Sequence, residues 1–340
     1  MRVPVAMLGI VFTATMASAQ PGLDIYHVDV EGGAATLIVT PARESVLVDA
    51  GWPGNDGRDV TRIQAAMKAA GITRIDHLIS THYHTDHVGG IPGLLARVPV
   101  GAFYDHGPMT PPHARDYASN YEAYVAAVPT RRTLAAGDVL PLKAATGSRP
   151  LALKVIAGHG TVTANPAGPR NPACDAVPAQ ADDPSDNARS VGFVLSYGNF
   201  DFFDAGDLTW NTEARLVCPV ASVGKVELYQ VTHHGADTSN HPLVLKALSP
   251  TVAVMNNGPK KGGAPATVKA LKALPSLQAI YQLHRNVATG AADNTAPELI
   301  ANLEETPDTG HMVSVHVAFD GAFAVVNHRT GQKRLFASQP

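Results

Sequence analysis

Residues 81–90 read Thr81-His82-Tyr83-His84-Thr85-Asp86-His87-Val88-Gly89-Gly90. His82, His84, Asp86 and His87 are all side chains that ligate zinc and similar divalent metals. The apolar segment 75–80 just ahead reads as a buried strand that stops at Thr81. The fold must therefore end a strand in a tight loop and bring further ligands to it from elsewhere. Such a loop turns His82 and His84 to one side and Asp86 and His87 to the other, so one segment can serve two adjacent metal positions. A lone histidine here would more often belong to a surface loop; this whole string is far harder to explain that way. A metal site with open positions makes hydroxide near neutral pH, so a metal-dependent hydrolase is the leading expectation.

Three more segments place a potential ligand where a strand ends in a glycine-containing turn. They are Val46-Leu47-Val48-Asp49-Ala50-Gly51, Phe203-Asp204-Ala205-Gly206-Asp207 and Val231-Thr232-His233-His234-Gly235. Any one alone is ordinary turn chemistry; together with the metal loop, in this order, they are not. Strands are expected at 23–30, 34–40, 45–49, 100–105, 191–197, 200–204 and 226–232, with two final strands near 312–319 and 322–327. Helices are expected at 57–70, 88–97, 114–128 and 209–217. The stretch 157–188, rich in Pro, Asn, Asp and Gly, is the least regular, and a loop of that length is usually functional or mobile. Strands early and late with helices between them suggest an α/β fold of two sheets covered by helices, in a single domain over 20–340.

The N-terminus has the layout of an export signal over residues 1–19. Arg2 precedes an apolar run, and Ala17-Ser18-Ala19 forms a small-residue cleavage site. The run is short for a stable membrane anchor, so a periplasmic or secreted chain is expected. Export lets Cys174 and Cys218 pair as a disulfide, with thiolate ligation or two separate thiols as alternatives. With 26 Lys and Arg against 29 Asp and Glu, the net charge is -3, and no strong field exists to hold nucleic acid by counterion release.

The ordered set of motifs resembles the metallo-β-lactamase-fold hydrolases over most of 23–327. Within them it is similar to the soluble hydrolase domain of bacterial competence (DNA-uptake) proteins, through Asn187-Ala188-Arg189-Ser190, Ala205-Gly206-Asp207 and His233-His234-Gly235 followed by Ser239. The resemblance implies a four-layer αββα sandwich with two divalent metal ions, zinc by default and manganese or iron as alternatives. It implies His82 and His84 as ligands of the first metal, Asp86 and His87 of the second, Asp207 as the bridging carboxylate and His234 as the last histidine ligand. Asp49 and the neighbouring His233 then support the ligands by hydrogen bonds. One departure stands out: where most relatives carry Gly-His before the hairpin leading to the bridging Asp, this chain has Asn187. Asn187 or His159 is left to complete the first site, with Asn187 favoured by position.

In the implied chemistry, hydroxide attacks a phosphorus or carbonyl carbon, with Asp86 or Asp207 orienting the nucleophile. Asn257 and Lys260, after a strand, could offer donors to an anionic substrate, and His284 is a further candidate wall. Phosphodiester hydrolysis, on a small molecule or oligonucleotide, is the first expectation. A β-lactam or lactone hydrolase is the alternative, followed by a non-catalytic metal-binding protein and an iron-dependent redox enzyme. Oligomeric state is not legible in the sequence.

Overall fold

A computed structural model describes residues 22–109, 114–305 and 310–338; the expected export signal lies outside them. The chain begins with β1 (Leu23–His27), β2 (Thr36–Val39) and β3 (Ser45–Val48), crosses through α1 (Arg58–Ala70) to β4 (Ile75–Ile79), and continues through α2 (Thr85–Val88) and α3 (Ile91–Leu95) to β5 (Val100–Asp105). After α4 (Ala114–Ala127) and β6 (Arg132–Thr133) it enters a second sheet. That sheet holds β7 (Val139–Leu140), β8 (Leu151–Gly158), β9 (Thr161–Val162), β10 (Gly192–Tyr197), β11 (Phe200–Asp204), β12 (Leu228–Gln230), β13 (Val252–Met255), β14 (Ala279–His284) and β15 (Ile300–Asn302). Between its later strands lie α5 (Trp210–Arg215), α6 (Pro242–Leu248) and α7 (Pro265–Lys272). Three last strands, β16 (Val313–Val317), β17 (Phe323–Asn327) and β18 (Gln332–Phe336), return to the first sheet beside β1.

Alternation along the strands explains the layers. Val46 and Val48 of β3, Phe202 of β11, and Val252 and Val254 of β13 face one shared core between the sheets. Their neighbours Leu47 and Leu78 pack outward with Val60, Ile63 and Met67 of α1. On the other side, Phe203, Ala253 and Met255 pack with Val244 and Leu248 of α6 and Leu271 of α7. Three apolar layers between four layers of structure make the αββα sandwich of the metallo-β-lactamase fold. Tyr121 and Tyr124 of α4 pack behind Tyr83, with ring centroids 4.7 and 5.5 Å away, so they brace the metal loop.

The irregular stretch is shorter than expected, because β8 runs on to Gly158, β9 follows, and 3-10 turns form at Cys174–Ala176 and Asp186–Arg189. Residues 312–327 do not close the chain, since β18 adds a further edge strand. Cys174 and Cys218 form a disulfide across 44 residues, tying this stretch to the segment after α5. No helix among the described residues is long and apolar enough to cross a membrane.

The topology decides where chemistry collects. β3, β4 and β5 run parallel, as do β11, β12, β13 and β14. Asp49 follows β3, the metal loop follows β4, Asp207 follows β11 and the His233-His234 pair follows β12. All four segments therefore leave C-terminal strand ends, the edge where α/β sheets place ligand sites.

Candidate metal centre

The metal loop is an extended stretch followed by one turn of helix. His82 and His84, two residues apart, hold their rings 4.6 Å apart, while Asp86 and His87 sit on α2. Asp207 Oδ2 lies 3.3 Å from the Nε2 atoms of both His87 and His234. Asp86 Oδ2 lies 3.2 Å from the same two nitrogens. His82 Nε2 approaches Asp207 Oδ2 at 3.9 Å from another side. Asp86, His87, Asp207 and His234 are buried and offer ligand atoms within 4.8 Å of one another, a donor set that fits a divalent cation.

The hydrogen bonds behind these rings set their tautomers. His87 Nδ1 lies 2.7 Å from Asp49 Oδ2, and Thr81 donates its backbone N–H and its hydroxyl to the two oxygens of Asp49 at 2.8 and 2.7 Å. Thr81 Oγ1, its proton given to Asp49, accepts from His82 Nδ1 at 3.1 Å. His234 Nδ1 faces the carbonyl of Asn256 at 3.3 Å. Each ring gives its Nδ1–H to the scaffold and turns Nε2 inward, toward the place a cation would take. His82 Nε2 is buried with no hydrogen-bond partner, an arrangement that is costly without a cation.

The backbone is bent to reach this geometry. Asp49, His233 and His234 have φ of 60°, 54° and 53°, a left-handed conformation that costs a non-glycine residue roughly 1–2 kcal/mol each. Gly206 (φ 51°) carries the turn before Asp207, and a Cβ there would lie 2.8 Å from Thr81 Cβ. A Cβ on Gly262 would lie 2.1 Å from the carbonyl of His234. Glycine at both positions lets neighbouring loops close on the ligands.

Charge is concentrated here. Burial opposes ionisation of Asp86, yet His87, His234 and Lys261 hold its carboxyl well below the usual range. Asp207 is likewise buried, and His234, His87 and His233 hold it well below that range. Against burial, Asp207, Asp86 and Asp49 raise His87 well above an ordinary histidine. A divalent cation can take the place of that proton. Burial keeps His82, His84 and His233 below the ordinary value and hence neutral.

The remaining sequence candidates are spread more widely. Asn187 is buried, donates from Nδ2 to His233 Nε2 at 3.4 Å, and leaves its Oδ1 without a hydrogen-bond partner. His159 is held elsewhere, with Nδ1 2.8 Å from the carbonyl of His106 and Arg189 Nη2 2.9 Å from that nitrogen. Asn257 is a buried brace whose Nδ2 donates to the carbonyls of Gly258 and His284. Lys260 points outward to Glu305 at 2.8 Å, and its neighbour Lys261 reaches the centre instead, pairing with Asp86 and lying 5.1 Å over the Trp52 ring. His284 does not form a wall: its Nε2 donates to Asp29 Oδ1 at 2.7 Å. Sequence reasoning passed over Asp186, which accepts from the backbone of Tyr83 at 2.8 Å and from His106 Nε2 at 3.0 Å, holding the metal loop from the far side. Its one signal was adjacency to Asn187. A groove of about 440 Å³ runs past Asn187 and His233 to Trp210, Asp182 and Asp183.

Two sheets, this shared edge and a His/Asp centre define a scaffold suited to divalent-metal chemistry. Residues 28–164 match the Metallo-beta-lactamase superfamily. The chain is 23% identical over 242 residues to recombination protein 2 of Haemophilus influenzae, covering 71% of this chain and 25% of that protein. It is 33% identical over 90 residues to ribonuclease Z of Bradyrhizobium diazoefficiens, covering 26% of this chain and 25% of that one. The chain thus spans about a quarter of the length of these curated relatives. Among solved structures, a metal-dependent hydrolase from Parabacteroides distasonis aligns with a TM-score of 0.42 and 14% identity, over 75% of this chain and 92% of that one.

Proposed function

We propose that this chain is an exported hydrolase of small phosphodiesters, acting through two divalent metal ions, zinc by preference. The convergence of His87, His234, Asp86 and Asp207, with His82 and His84 alongside, carries the reading. When bound, the metal ions supply a nucleophile at neutral pH and Lewis acidity at the reacting oxygen. Asp207, 3.3 Å from His87 and His234 and 3.9 Å from His82, would be the carboxylate shared between the two groups of ligands. Asp49 fixes His87, and Asp186 fixes the backbone at Tyr83, so the ligand rings are oriented before substrate arrives. Lys261, at the rim on Asp86, can turn its ammonium to a phosphate oxygen. Asp182 and Asp183 in the neighbouring groove oppose a long polyanion, which favours short substrates. The likeness to a ribonuclease Z and to a recombination protein supports phosphodiester chemistry, and the Cys174–Cys218 disulfide supports a periplasmic or secreted setting.

The test is metal content and turnover together. Purified protein is expected to hold two metals and to cleave bis(p-nitrophenyl) phosphate, with activity lost to chelator and in His84→Ala. Turnover of a chromogenic cephalosporin alone would replace this reading with lactam hydrolysis. Full metal with no turnover on either substrate would remove the enzyme assignment.

A further inference from the structure

The two histidines of the His233-His234 pair are both in the left-handed conformation, and both rings turn to the same carboxylate. His233 Nε2 lies 3.5 Å from Asp207 Oδ2, against 3.3 Å for His234. The tautomer of His233 is set as in the other inward-facing rings. Ser239 Oγ gives its proton to the carbonyl of Leu208 at 2.7 Å, so it accepts from His233 Nδ1 at 3.1 Å. Asn187 Nδ2 lies 3.4 Å from His233 Nε2 and marks it as the lone-pair nitrogen facing the centre; a bound ion would take that lone pair in place of this long contact. Around Asp207, His87 and His234 gather with Asp86, while His82 and His233 approach at 3.9 and 3.5 Å. The first position, with His82 and His84, is the one that lacks a third histidine before the hairpin. Asn187, its Oδ1 buried and without a hydrogen-bond partner, lies beside His233 at that place.

We propose that His233 is a ligand of the first metal position, with Asn187 beside it, standing in for the histidine this chain lacks ahead of β10. This rests on the two-metal reading above, but its test is metal binding and does not depend on turnover. Ser239 becomes a positioning residue that holds the His233 ring.

Cobalt(II) is the probe, added to the purified full chain. In the wild type, a paramagnetically shifted Nδ1–H resonance from His233 is expected, along with two bound ions. In His233→Gln that resonance disappears and one ion is held at least ~10–100-fold more weakly, while the other keeps its affinity. Ser239→Ala, which leaves every ligand in place, is expected to weaken the same ion about tenfold and to speed exchange of the His233 N–H. Two ions held with unchanged affinity in His233→Gln, with only KM for the phosphodiester altered, would overturn the proposal and make His233 a substrate contact. A wild type that binds fewer than two ions would also overturn it, although one-metal hydrolysis could still stand. If His233→Gln does not fold, the wild-type spectrum decides, since absence of a shifted His233 resonance overturns the assignment. Full agreement in metal binding with no hydrolysis would sink the phosphodiesterase reading and leave this one intact.

Discussion

Two clusters in this molecule contain the same kinds of residue and do opposite things. At the metal centre, His87 and His234 meet Asp86 and Asp207; at the neighbouring cluster, His284 meets Asp29 and Glu31. In the first, each Nδ1–H is given away to Asp49 or to the Asn256 carbonyl, and the Nε2 atoms converge on the two carboxylates. In the second, His284 gives its Nε2–H to Asp29 at 2.7 Å, and Arg62 Nη1 supplies positive charge to Asp29 and Glu31 at 2.8 and 3.1 Å. The second cluster carries its own counter-charge in Arg62. It joins the segment after β1 to the end of β14 and acts as a strut between the two sheets. Which nitrogen points inward, and whether an arginine is present, separates a cation site from a brace more sharply than residue type does.

That contrast can be broken in order of effect. Asp207→Asn should cost more than ~100-fold in turnover, exceeding what loss of a ligand's hydrogen-bond partner produces, and should release metal. Retained metal and activity, read by metal analysis and steady-state kinetics, would erase the distinction. Arg62→Met should leave metal content unchanged while lowering stability by about 1.5–3 kcal/mol, because it removes a charge-assisted hydrogen bond to the buried Asp29 carboxylate, which His284 still holds. Urea unfolding measures this, and loss of metal instead would show that the strut belongs to the centre. Asp49→Asn should weaken metal binding ~10–100-fold, checked by chelator competition.

The smallest effect is in acid. Burial alone would raise Asp29, but the hydrogen bond from His284 and the charge of Arg62 bring it below its ordinary value of 3.8. Its folded pKa lies below the unfolded one, so its stabilisation is present above about pH 3.8 and is lost as pH falls through the folded value. Arg62→Met should therefore move the acid-unfolding midpoint upward. A midpoint that stays in place, followed by circular dichroism, would contradict the charge-balance argument for the strut.

The metal loop and the strand ends at Asp49, Asp207 and His234 were legible because each signal is local: a short apolar run, a ligand, a glycine. The strut was not, since His284 and Asp29 lie 255 residues apart and only the topology brings them together. Lys260 and Lys261 could not be told apart without knowing how the turn is rotated; one faces Glu305, its neighbour Asp86. The double histidine before Gly235 was visible, but a sequence carries no φ, and the left-handed turn at His233 is what aims its ring. Short edge pairings such as β7 and β9, two residues each, carry no alternation to read.

The disulfide has a consequence for timing. Cys174 lies just upstream of the 182–187 stretch that walls the groove, and its bond to Cys218 anchors that stretch beside α5. The metal loop, by contrast, is fixed by hydrogen bonds that need no oxidant. Before oxidation the chain can assemble its cation site with one wall of the groove still untethered. Oxidation then fixes the last wall of that groove, so the groove, unlike the cation site, depends on the redox state of its surroundings.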